Sequence, residues 1–168
     1  MKLESFKQFK LNESKNEINF ICQKYDIKNY TINDDLSIDV QGNVDLYRKG
    51  LTKLPLKFRH VSGNFYCSHN ELTSLEGGPQ TVDEFDCSHN ELTSLEGSPQ
   101  KVGGYFSCSY NQLTTLEGVT QTVGGDFSCY NNQLTSLEGS PQKVEGNFYC
   151  SNNQLISLKG SPQTVEGD

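Results

Sequence analysis

Cysteine is the residue best able to do chemistry in this chain, and five of the six fall at one per repeat: Cys67, Cys87, Cys108, Cys129 and Cys150. A thiolate can ligate zinc or act as a nucleophile. Zinc sites usually draw on closely paired cysteines, and no C-x-x-C spacing is present. Neighbouring turns would bring these thiols near one another, so distance alone does not exclude disulfides. Leu46 takes the same place in the first unit, however, so the column behaves as a small hydrophobe. Free buried thiols imply a reducing compartment. His69 and His89 sit one repeat apart and could share a metal, but their column continues as Tyr110, Asn131 and Asn152, which is no ligand set. They read as a surface pair. Glu76, Glu96, Glu117 and Glu138 form an acidic column followed by Lys159. Calcium takes carboxylate oxygens, yet the G-G-x-G-x-D calcium repeat is absent, so the column reads as solvated. No nucleophile elbow, phosphate loop or paired catalytic constellation is found. The expectation is a protein that is not an enzyme, with no cofactor and no metal.

The element that must position these side chains is a repeat. From Val61 the chain recurs every 21 residues, with one 20-residue unit from Val82, and later units start at Val102, Val123 and Val144. A further unit opens at Val165, and a degenerate one starts at Val40. Each unit carries F-x-C-x-x-N-x-L-x-x-L. Phe and Cys two apart point to one face of a short strand. A single turn cannot bury that face, but stacked turns seal one another. The column Asn70, Asn90, Asn111, Asn132 and Asn153 offers an amide, donor and acceptor together, where the chain leaves the strand. Gly77, Gly97, Gly118, Gly139 and Gly160 mark a bend, and Pro79, Pro99, Pro141 and Pro162 an extended return. The composition agrees: 33% hydrophobic residues, 15 glycines and no alanine argue against a helical bundle or a bulky core.

The pattern L-x-x-L-x-L-x-x-N-x-L, with Phe and Cys at two apolar positions, resembles the leucine-rich repeat of the short bacterial and phage type. The first unit keeps that type's proline at Leu54–Pro55. The resemblance covers residues 40–168. It implies an α/β solenoid: a horseshoe with a parallel β-sheet on its concave side and a mostly irregular convex side.

Residues 1–39 do not repeat and are expected to form an N-terminal cap. Leu3, Phe6 and Phe9, then Ile18, Ile21, Cys22 and Tyr25, recur at helical spacing. Tyr30–Ile32 and Ser37–Val40 read as strands around an Asp34–Asp35 turn. The opening MKLESFKQFKLNES resembles the capsid-targeting leaders of internal head proteins of large tailed phages. That resemblance implies cleavage between Glu13 and Ser14 and a place in the virion.

Charge bears on partners. Residues 1–60 hold 11 basic and 8 acidic side chains, and residues 61–168 hold 3 and 13. A solenoid of net charge −10 repels phosphates, so no nucleic acid is expected. No apolar run approaches the roughly 20 residues that span a bilayer, so no membrane is expected either. The outward strand positions include Tyr66, Asp86, Tyr105, Asp126, Tyr130 and Tyr149. Tyrosine joins apolar area to a polar tip and is enriched at interfaces. These residues are the expected contact surface for a protein partner or a glycan. End-to-end self-association is a further expectation, because Leu155 and Leu158 lie in the last full unit.

Overall fold

The computed structural model describes residues 14–168. Residues 14–24 form one helix, α1. Its inward residues follow the 3.6-residue period: Ile18 and Cys22 are buried, and Ile21 and Tyr25 pack partly against the same core. Asp26 ends the helix in the left-handed region at φ 56°. That turn lets the Ile27 N–H donate back to the Cys22 carbonyl at 2.8 Å, a Schellman closure. Of the expected cleavage pair, Ser14 lies within α1, and Glu13 lies outside the described residues, as do Leu3, Phe6 and Phe9.

Strands β1 (Tyr30–Ile32) and β2 (Ile38–Val40) pair antiparallel, Tyr30 opposite Val40 and Ile32 opposite Ile38. Asp35 shapes the turn between them by accepting from the Ser37 N–H and hydroxyl. Beyond β2 the chain is a β-solenoid of about six turns, and each turn contributes one strand to each of two parallel sheets. The Phe column lies on β3 (Val44–Asp45), β5 (Phe65–Tyr66), β7 (Phe85–Asp86), β9 (Phe106–Ser107), β11 (Phe127–Ser128) and β13 (Phe148–Tyr149). These six form one sheet in chain order. The Val column lies on β4 (Phe58–Val61), β6 (Thr81–Val82), β8 (Lys101–Val102), β10 (Thr122–Val123), β12 (Lys143–Val144) and β14 (Thr164–Val165). With β1 and β2 they form an eight-stranded sheet.

This second sheet departs from the single sheet and irregular far side expected from sequence. Most of its strands are two residues long, so no alternation of apolar and polar residues is long enough to announce them. What aligns them is the stacking itself: pairing between successive turns sets each Val-column strand beside its copy, across the 20-residue unit as across the 21-residue ones.

The core between the sheets is made of stacked columns. Phe65, Phe85, Phe106 and Phe127 are fully buried, and adjacent rings lie 5.3–5.8 Å apart. Cys67, Cys87, Cys108 and Cys129 and the paired leucines from Leu72 to Leu137 fill the remainder. Burying one Phe contributes on the order of 1.5–3 kcal/mol, and each ring is covered by those of its neighbours. Burial falls off in the last turn, where Ile156 is 89% and Leu158 69% exposed. The bend glycines are left-handed, as at Gly77 with φ +87°. A Cβ on Gly77 would sit 2.9 Å from the Leu56 carbonyl oxygen of the preceding turn, so both backbone sign and space demand glycine there. The 20-residue unit has one residue fewer between Val82 and Phe85. Register survives on both sides: Val82 still pairs with Val102, and Phe85 with Phe65 and Phe106.

Candidate functional site

The asparagine column fixes the end of every Phe strand. Asn111 is representative. Its Nδ2 donates to the carbonyls of Cys87 at 3.1 Å, Cys108 at 3.1 Å and Ser109 at 3.2 Å. Its Oδ1 accepts from the Leu92 N–H at 2.9 Å. One amide thus ties two turns together and satisfies backbone groups that no strand partner reaches. Asn90 and Asn132 repeat the arrangement. Among the described residues, no buried side-chain nitrogen or oxygen lacks a hydrogen-bond partner.

The residue just before each asparagine is left-handed, as is Arg48 before Lys49 in the first unit: Arg48 (φ 52°), His69 (55°), His89 (51°), Tyr110 (54°), Asn131 (53°) and Asn152 (54°). This column faces outward and carries a ladder of rings. His69 stacks on His89 with centroids 4.0 Å apart, and His89 on Tyr110 at 3.9 Å. Tyr47 closes one end edge-on to His69 at 5.2 Å, and Tyr130 closes the other edge-on to Tyr110 at 4.8 Å. The Arg48 guanidinium lies 5.2 Å from the centre of the Tyr47 ring. Burial, and after it the neighbouring His69, hold the His89 imidazole below its ordinary value of 6.5, against the pull of Asp86. Reading the sequence alone treated the histidines as a plain surface pair and missed the ladder. The available signal was the Asn131–Asn132 and Asn152–Asn153 doublets, because asparagine is the non-glycine residue that best tolerates the left-handed region.

The six residues expected to contact a partner fall into separate settings. Strand pairing places Tyr66 beside Asp86, and the same row continues through Ser107 and Ser128 to Tyr149. The Tyr66 hydroxyl donates to Glu84 Oε2 at 2.7 Å, and Asn64 Nδ2 donates to the same oxygen at 2.9 Å. Burial, and then Glu84, raise the Tyr66 phenol. Asp86 accepts from the Ser88 N–H at 2.9 Å. Asp126 accepts from the Asn147 N–H at 2.8 Å and from its side-chain amide at 3.2 Å. Asp86 thus braces its own turn, and Asp126 the turn that follows. Tyr105 is half-buried, and burial raises its phenol. Tyr130 belongs to the ring ladder, where its hydroxyl meets that of Tyr110. Tyr149 is 46% exposed. Between Tyr66 and Tyr149 the row turns dry: Ser107 and Ser128 are buried, and the Ser128 hydroxyl bonds that of Ser109 at 2.7 Å.

The other chemical candidates resolve as packing. The thiols of Cys67, Cys87, Cys108 and Cys129 are pushed well up by burial, which keeps them protonated and poorly nucleophilic. The six cysteines are free. Glu138 pairs with Lys159 at 2.7 Å on the exposed surface. Among the described residues, no cluster of three or more His, Cys, Asp or Glu side chains is arranged to hold a metal ion, and no helix is long and apolar enough to cross a membrane. No protein-family model, no curated protein and no solved structure matches this chain.

Proposed function

We propose that this chain is a non-enzymatic binding module of the leucine-rich-repeat type, holding a protein partner across the outward side of its Phe-column sheet. The contact residues are Tyr66, Asp86, Tyr105, Asp126, Tyr130 and Tyr149. The observation that carries the reading is how firmly this tyrosine-bearing surface is held before any partner arrives. Tyr66 is bonded to Glu84, Tyr130 abuts Tyr110, and the carboxylates of Asp86 and Asp126 are fixed by backbone N–H groups. A surface already ordered loses little side-chain entropy on binding, and tyrosine supplies area with a polar tip.

The test is affinity capture with the intact chain beside a Tyr66→Ala/Tyr149→Ala double variant of equal thermal stability. A partner held by the first and lost by the second supports the reading. Equal retention by both moves the contact elsewhere and overturns it.

A further inference from the structure

The left-handed column contains a choice that packing does not explain. At Asn131 and Asn152 it carries the residue type its backbone favours. At Arg48 and Tyr110 it carries side chains that disfavour φ near +50°, and between them His69 and His89, which tolerate it. These four are consecutive, and three of them supply the stacked rings. Strain retained at Arg48 and Tyr110, on either side of the imidazoles, points to a task for this patch.

That task follows from the two imidazoles. Neutral rings stack at 4.0 Å without penalty, but two imidazolium charges at that separation repel strongly. The surrounding charges are unequal. Arg48, on the turn before His69, adds positive charge; Asp86, on the same turn as His89, opposes it; Tyr47 and Tyr110 cover the two ends of the pair with their rings. One proton can be accommodated beside Asp86, whereas a second sets like charges face to face. We propose that the His69–His89 stack is a proton-operated joint in the binding surface, closed when the imidazoles are neutral and opened when both are charged. Opening shifts His89 together with the Tyr110 ring stacked on it, and so disturbs Tyr130, one of the contact residues. The partner is held near neutral pH and released on acidification. This inference rests on the reading of that surface as the binding site.

The experiment follows the three histidine side chains of the full chain by NMR from about pH 8 to about pH 5, with the near-ultraviolet circular dichroism of the tyrosines recorded in parallel. His89 is expected to take up its proton below the ordinary imidazole value, with the tyrosine signal changing in the same step. In His69→Asn, which installs the residue the same column carries at 131 and 152, the His89 midpoint rises and the tyrosine change disappears. An ordinary His89 midpoint in the parent, an unmoved His89 midpoint in the variant, or an unchanging tyrosine signal overturns the joint. Capture is then repeated at about pH 7.5 and about pH 5.5. Loss of the partner at the lower pH in the parent but not in His69→Asn supports the release. Equal capture at both values by the parent overturns the release while leaving the binding reading intact. Capture at neither value overturns the binding reading, and the release with it, even where the His89 titration stands.

Discussion

Asn131 and Asn132 are the same residue type side by side, and the solenoid uses them in opposite ways. Asn132 is buried, and its amide joins Leu113, Cys108 and Cys129 across two turns. Every regular turn repeats it. Asn131 projects outward and supplies a left-handed backbone, and its column holds Arg, His, Tyr and Asn in turn. A column is uniform where its side chain must bond or pack against the copies above and below it. A column is varied where only the backbone is shared. Inward Phe, Cys, Leu and Asn belong to the first kind, and the outward rows of the Phe-column sheet to the second.

That contrast can be broken at several points. The largest effect is expected from the innermost column at alkaline pH. The folded chain holds the thiols of Cys67, Cys87 and Cys108 above their ordinary value of 9.0, while the unfolded chain ionises them there. Their contribution to stability is therefore complete below pH 9.0 and is lost as pH rises beyond it. Each forgoes on the order of 1.4 kcal/mol at one unit above that value. Urea unfolding midpoints from pH 8 to pH 10 should fall steeply, and a flat profile would place the thiols in contact with water. Next comes Asn132→Ala, expected to cost about 3 kcal/mol by stranding buried carbonyls and an N–H. Asn131→Ala, one residue away, should cost only about 1 kcal/mol, the left-handed penalty alone. If the two alanines cost the same in urea unfolding, the distinction between the columns fails. Smallest is Tyr149→Ala, an outward change expected to shift stability by less than about 0.5 kcal/mol while weakening capture of the partner.

The same distinction explains what could be read from the sequence. Phe106, Cys108, Asn111, Leu113 and Leu116 announced their turn because an inward column repeats its residue type. The hairpin of β1 and β2 was visible through its Asp34–Asp35 turn. The Val-column sheet was not, because strands as short as Thr122–Val123 have no periodicity of their own. The ring ladder was hidden for a different reason. His69, His89 and Tyr110 share a backbone conformation but no residue type, and their stacking crosses turns 20–21 residues apart. The burial of Ser107 and Ser128 was not legible either, because alternation along a strand does not register the neighbouring side chains that cover them.

The short unit from Val82 carries a practical consequence. Between Val82 and Phe85 the chain omits a residue that its sister units possess, and both sheets run past the gap without slipping. The corner of this one turn therefore works as an expansion joint: its change of length is absorbed between Val82 and Phe85 and is not passed to the next turn. Later corners have no such slack, since a Cβ on Gly124 would run into the Gly103 carbonyl oxygen. The molecule is a ruled scaffold whose spacing is set by hydrogen bonds rather than by linkers, with a single place where the rule is shortened.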